Sequence, residues 1–355
     1  MVRRKISRKA HPAVRITLWL TFFAMVAGIL IMIKLYKFIF IPSVDPKGKD
    51  ISYFYINTGT EYPEVIADLE KQGYVTDKKA FDWLANKKKY LSHIYPGRYR
   101  IVPKMTNNEL LNQLRSGEQA PLMLSFNNVR TLNQLAGIIA RQLEPDSLDF
   151  LKVFTDPLIM EKYGFNEQSF PAMFIPNSYE FYWTTSPIRF VERMHSEYLV
   201  FWARGRTAKA DQIGLSLLNI STLASIVDQE SLHDDENAII AGVFINRLNT
   251  GIPLQSDPTI IFALQDFNIR RVLKKHKNIN SPYNTYKHKG IPPGPISIPS
   301  IKAIDAVLNY EKNNYLYFCA KDDFSGYHNF ARNLAQHNHN ARLYQKALDR
   351  QRIFN

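Results

Sequence analysis

Leu223-Ala224-Ser225-Ile226-Val227-Asp228-Gln229-Glu230-Ser231 is the stretch from which the rest of the chain is read. At offsets of three, four and seven, Leu223, Ile226, Val227 and Glu230 share one face of a helix. That face is apolar until its last member, which is a carboxylic acid. Charging a carboxyl on the core side of a helix is unfavourable, so its pKa rises and it keeps a proton near neutral pH. Such a group can deliver that proton to a leaving oxygen. The competing reading is a Glu at a helix end, merely capped or salt-bridged, and the local pattern leaves both open.

The surrounding composition narrows the choice. A chain of 355 residues with 45% hydrophobic content holds two or three domains with real cores. Tyr (19) and Phe (22) are abundant; they fill cores and also stack on sugar faces. Six cations of the net +13 (Arg3, Arg4, Lys5, Arg8, Lys9, Arg15) precede position 16 with no acid among them, leaving the remainder at +7. That balance suits an anionic polymer or a membrane surface. The longest later basic run, Lys87-Lys88-Lys89, reads as a solvated helix end, so nucleic acid is not an expected partner. One cysteine, Cys319, excludes an intrachain disulfide and a cysteine-based zinc site; in its apolar run it reads as a small core residue.

Ile16 to Ile33 contains no charge, and about 18 such residues can cross a bilayer's hydrocarbon core. The basic residues before it outnumber Lys34 and Lys37 after it, which predicts a cytoplasmic N-terminus. No small-x-small cleavage site follows the apolar run, so an anchor over 16–40 is expected rather than a removed signal. Residues 41–50 form a polar linker. Then come a strand at 52–56, helices at 63–71 and 77–86, a strand at 97–101, and a capping box Thr106-x-x-Glu109 opening a further helix. This β-α-α-β order over 51–119 resembles a LysM-like module, a small fold associated with glycan binding. A plain structural spacer is the alternative.

The third region, 120–355, alternates strands and helices. Leu122 to Phe126 reads as a strand, and Thr131 opens a helix to Leu143. Phe174 to Tyr182 (FIPNSYEFY) is an aromatic stretch that lines a sugar groove or turns a core corner. Glu236 to Asn249 is a helix closed by Gly251, and in Leu254-Gln255-Ser256-Asp257-Pro258 the expected N-cap is Asp257 with Pro258 at the first helical position. Tyr283-Asn284-Thr285-Tyr286 precedes Gly290-Ile291-Pro292-Pro293-Gly294-Pro295-Ile296, a stiff, non-regular path suited to a cleft wall. Strands at 315–320 and 327–330 lead into a terminal helix bearing His337 and Asn338.

Taken in order, these words resemble the endolytic murein transglycosylase (YceG-like) family. They are LASIVDQE at 223–230, VFINRL at 243–248, LQSDPTI at 254–260, YNTY at 283–286, GIPPGPI at 290–296, YLYF at 315–318, HNF at 328–330 and His337-Asn338. The resemblance implies an α+β protein with one transmembrane helix, a LysM-like module and a larger mixed α/β catalytic domain over 120–355. It implies cleavage of the β-1,4 bond between N-acetylmuramic acid and N-acetylglucosamine, leaving 1,6-anhydro ends, with Glu230 as the single catalytic acid. Gln255, Asp257, Asn284, Tyr286, Tyr179, His328, His337 and Asn338 are the candidate substrate contacts. No metal or cofactor is expected. Expected partners are glycan strands, the inner membrane and the peptidoglycan synthases. Asp228 stands where relatives often carry Glu, and is assigned no role. Two other classes stay open: a two-carboxylate hydrolase in which Asp257 or Glu180 activates water, and a non-catalytic glycan-binding envelope protein.

Overall fold

The computed structural model describes residues 12–46 and 48–351. The basic tail before position 12 therefore lies outside the described residues. The first helix, α1 (Pro12–Phe40), is apolar on every side, and none of its apolar window is buried. It is the one unbroken helix among the described residues that is long and apolar enough to cross a membrane, over Arg15–Phe40 with a mean hydropathy of 2.4. Two compact units follow, one reaching Leu122 and joined by Tyr182–Thr184, the other made of the rest.

In the first unit, β1 (Ser52–Ile56) and β2 (Gly97–Ile101) pair antiparallel from Ser52↔Ile101 to Ile56↔Gly97. Alternate residues point inward, so Phe54, Ile56, Tyr99 and Ile101 are buried while Tyr55 and Arg100 face out. Between the strands lie α2 (Tyr62–Lys71) and α3 (Lys78–Lys87), and α4 (Asn107–Ser116) follows. Each turns a leucine- or phenylalanine-bearing stripe to the same core. The Thr106–Glu109 capping box forms as the sequence predicts, with both reciprocal hydrogen bonds present.

The second unit opens with β3 (Leu122–Ser125), α5 (Leu132–Ala140), α6 (Ser147–Phe154), α7 (Pro157–Lys162) and β4 (Ser178–Phe181), which pairs with β3. Helix α5 ends three residues before the expected Leu143. There Gln142 leaves the helical path and its side-chain amide bonds both the N–H and the C=O of Ser125. Helices α8 (Pro187–Ala203), α9 (Arg206–Ile213), α10 (Leu217–Glu230), α11 (Asn237–Thr250), α12 (Asp257–Leu264) and α13 (Ile301–Leu308) follow. Strands β5 (Tyr317–Ala320) and β6 (His328–Ala331) form an antiparallel pair ahead of α14 (Leu334–Arg350).

Helix α10 is the centre of this unit. Every residue from Ile220 to Val227 is buried, so the helix is wrapped by neighbours rather than facing solvent. Ser225 is among them. Its hydroxyl donates to the Thr222 carbonyl at 2.7 Å and accepts the Ile296 N–H at 3.0 Å. One small polar side chain thus fastens the proline-rich loop to the central helix. Gly294 in that loop lies against the Gln168 backbone: a Cβ there would sit 1.9 Å from the Gln168 carbonyl oxygen. Backbone on backbone at that range admits glycine and nothing larger.

Replacing Gly294 by Ala should force the loop off its seat and cost about 1–3 kcal/mol. Thermal unfolding of the full chain, wild type against Gly294→Ala, measures it. An unchanged midpoint would mean that this contact is not tight in solution.

Candidate active site

Glu230 is the last residue of α10, and Ser231 leaves the helix in an extended conformation. The helix axis therefore delivers the carboxyl out of the apolar core and into the floor of a cleft of about 420 Å³. Gln255, Asp257, Lys277, Tyr286, Cys319, His328 and His337 share that cleft, with Arg247 and Tyr317 behind. The Ser256 hydroxyl donates to Glu230 Oε1 at 2.5 Å. Burial pushes the Glu230 carboxyl up to about 7; the negative charge of Asp257 adds to the rise, while Ser256 and the Arg247 cation oppose it.

Ser256 explains a correction. The expected N-cap of α12 was Asp257, but Ser256 occupies that position with extended φ/ψ. Its hydroxyl does not cap the helix, because it is committed to Glu230. Asp257, one residue on, is freed to face the cleft. Its Oδ1 accepts from the Tyr286 hydroxyl at 2.5 Å and lies 3.3 Å from Lys277 Nζ. Lys277 also sits 3.8 Å over the Tyr286 ring. Gln255 holds a left-handed φ of 51° while its N–H bonds the Thr285 carbonyl. A non-glycine residue there is strained, and such strain gathers at working sites.

Behind the acid, Arg247 is buried with no carboxylate on its guanidinium among the described residues. It donates instead to the carbonyls of Leu316 (2.6 Å), Pro253 (3.2 Å) and Leu254 (2.8 Å), and its guanidinium carbon lies 5.1 Å from the Tyr317 ring centre. On the far wall, Glu236 accepts from the His328 N–H at 2.9 Å and lies 2.8 Å from its ring Nδ1, tying β6 to the segment just after Glu230. His337 stacks on Tyr317, and burial pushes its imidazole below the ordinary value, towards the neutral form. Its Nδ1 has no hydrogen-bond partner among the described residues.

Of the sequence-predicted contacts, Gln255, Asp257, Tyr286, His328 and His337 meet around Glu230. Three do not. Tyr179 is buried in the aromatic corner, stacked on Phe126, and its hydroxyl donates to the Ile175 carbonyl at 2.6 Å. Asn284 is fully buried and its amide is consumed by the Lys277 and Ile279 carbonyls and the Tyr286 N–H. It shapes the turn that presents Tyr286. Asn338 is exposed on α14 and does not line the cleft. Glu180, offered as a second carboxylate, is exposed on β4 and is also absent from the cleft lining. Cys319, expected in the core, instead faces the cleft.

Asp228, which received no role, ties α10 to α13. Its carboxylate accepts from the Ser300 N–H and hydroxyl at 3.2 and 2.7 Å. Burial pushes that carboxyl up, and the two Ser300 bonds restrain the rise. Sequence reasoning missed Ser256, Arg247, Lys277 and Glu236. Arg247 alone left a trace: it is the only charged residue of its helix. Ser256 meets Glu230 across 26 residues, which no local pattern reports.

The sequence profile of the YceG-like family matches residues 54–343. A protein of Streptococcus pneumoniae named endolytic murein transglycosylase is 29% identical over 331 residues, covering 84% of this chain and 59% of that one. The chain thus spans about six-tenths of that relative's length. A Bacillus subtilis protein of the same name is 26% identical over 310 residues, covering 83% of this chain and 85% of that one. The crystal structure of a yceG-like protein from Listeria monocytogenes superposes with a TM-score of 0.56 at 27% identity, covering 82% of this chain and 99% of that one.

The raised carboxyl has a consequence for stability. Below the ordinary value of 4.5, folded and unfolded chains both hold the proton and no penalty exists. As pH rises towards about 7, the unfolded chain loses the proton first, so the folded state is progressively disfavoured. Glu230→Gln removes the ionisable group. It should stabilise the protein by roughly 1–3 kcal/mol above pH 7 and by much less at pH 4.5. Melting curves at both pH values test this; equal shifts at the two would show an unperturbed carboxyl.

Proposed function

The chain belongs to the YceG-like family, and on that footing we propose that it is a membrane-anchored endolytic peptidoglycan lytic transglycosylase with Glu230 as its one catalytic acid/base. A single observation carries the reading: a protonatable carboxyl at the end of a buried helix, opening into a polar cleft and held near neutrality by opposed influences.

In the proposed reaction Glu230 gives its proton to the glycosidic oxygen as the bond from that oxygen to C1 of N-acetylmuramic acid breaks. Glu230, now an anion, takes the proton of the same sugar's C6 hydroxyl, and the C6 oxygen bonds to C1. The product end is a 1,6-anhydro sugar, and no water is consumed. Because the nucleophile belongs to the substrate, holding the strand in place does the work a positioned water would do. Gln255, Tyr286, His328 and His337 are the proposed strand contacts, since all four line the cleft with Glu230. Asp257 keeps Lys277 and Tyr286 fixed along one wall.

The N-terminal cations favour a cytoplasmic N-terminus. With α1 as an inner-membrane anchor, residues after about 40 then work in the envelope, beside nascent strands and the synthases that make them. The β-α-α-β unit is read as a LysM-like module that holds glycan. Asp257 also gives the hydrolase alternative its one foothold, since it lines the same cleft as Glu230.

Mass analysis of digested peptidoglycan separates the readings. Anhydro ends are expected from the wild type and none from Glu230→Gln. Reducing ends one water heavier would sink the transglycosylase reading in favour of hydrolysis through Asp257. Activity should fall as pH rises through about 7, because the acid must be protonated to start. Ser256→Ala removes a donor that favours the anion, so its alkaline limb should move to higher pH. An unmoved limb would detach Ser256 from the titration.

A further inference from the structure

The larger unit holds a second cavity of about 660 Å³ that the proposed reaction does not use. We infer that it binds the stem peptide that branches from the glycan strand, a short chain carrying both carboxylate and amino groups. This rests on the reading that peptidoglycan is the substrate.

The lining divides by chemistry. Met160, Pro171, Phe165 and the Phe262–Tyr283 pair, with ring centres 4.7 Å apart, give apolar surface. Arg130 comes from the segment before α5, Glu161 from α7, and Glu167 from the loop after α7. All three are exposed, and none has an ion-pair partner among the described residues. Arg130 rests its guanidinium 5.4 Å from the Phe267 ring centre, its five donors pointing to no carboxylate.

Charge decides the occupant. The hydroxyls of an uncharged sugar ring can hydrogen-bond a guanidinium and carboxylates but cannot neutralise them. A stem peptide offers both complements: a terminal carboxylate for Arg130, and the side-chain amine of a diamino acid for Glu161 or Glu167. Its aliphatic side chains suit the apolar floor.

Position agrees. Helix α12 forms part of both cavities, with Asp257 in the Glu230 cleft and Phe262 and Gln265 in the second one. The Tyr283–Tyr286 turn does the same, through Tyr283 on one side and Tyr286 on the other. Gln265 lies just past the end of α12, whose eight residues starting at Asp257 rise about 12 Å. An extended peptide covers about 3.3 Å per residue, so a stem of four residues rooted on the sugar over Glu230 reaches the second cavity.

The test uses full-length protein in detergent and two soluble probes: a monomeric muramyl peptide with a diamino acid and a free C-terminal carboxylate, and the same sugar with its lactyl carboxyl capped as a simple amide. Calorimetric titration should show tighter binding of the muramyl peptide by the wild type. Arg130→Ala and Glu167→Gln should each weaken it about tenfold while leaving the capped sugar unaffected. Both positions are exposed, so neither change threatens folding. In parallel, kcat/KM on peptide-bearing strands should fall about tenfold in both variants, while on strands stripped by an amidase it matches the wild type. Equal binding of the two probes by the wild type, or wild-type affinity in both variants, overturns the proposal. A protein that binds the muramyl peptide as described yet cuts no strand retains this site and refutes the cleavage reading instead.

Discussion

The larger unit depends on keeping one carboxyl away from water without leaving it unbonded. A buried carboxylate with no partner is very costly, and a fully solvated one has an ordinary pKa of about 4 and no proton to give at neutrality. Glu230 sits between these limits. Helix α10 is buried for two turns before it, so the acid emerges from a dry floor. The neutral Ser256 hydroxyl supplies its one close hydrogen bond. A salt bridge in that place would have held the carboxyl ionised; a hydroxyl satisfies it in either protonation state.

A group so finely placed is only as good as its surroundings are stiff, and three polar ties converge on the end of α10. Ser225 holds the proline-rich loop, Asp228 holds the start of α13, and Glu236 holds β6 through His328. Each joins the 225–236 segment to an element about 70 to 90 residues away in sequence. Each uses a side chain whose alternative is an unsatisfied buried polar group, so slackening any of them is expensive. Gly294 adds a steric lock on the same loop. The cleft walls are thus fixed by bonds that lie outside the cleft itself, which is the arrangement preorganisation needs.

What was legible in the sequence follows from the range of the forces involved. The helix caps at Thr106 and Thr131, the helices of the first unit and the apolar α1 are all written within a few residues, and they read correctly. The acid on the apolar face of α10 was also a local pattern. Tyr179 and Asn284 misled because an aromatic or an amide in a polar-looking stretch reads the same whether it meets a ligand or its own backbone. Only the fold shows that their hydrogen bonds are already used. Ser256 and Lys277 were invisible for the converse reason: each meets its partner across 20 or more residues, which no local pattern reports. The Asp257 cap shows how near the margin is, since one residue of register turned a helix cap into a cleft-facing acid.

The two acids of the cleft divide by environment rather than by type. Asp257 has Lys277 against it, so its charge is compensated where it stands. Among the described residues no cation forms an ion pair with Glu230, and the charge of Asp257 nearby discourages a second anion, so the proton stays on Glu230. That alone would make a good acid and a poor base. The proposed reaction requires both, because the same carboxyl must give a proton and then take one back. Arg247 supplies the counterweight. Its Nε and Nη1 groups are tied to backbone carbonyls, which fixes the guanidinium in place, and its positive charge stabilises the anion once the proton has left. Desolvation and Asp257 pull one way, Arg247 and Ser256 the other, and a carboxyl poised near 7 is the result expected when neither side wins.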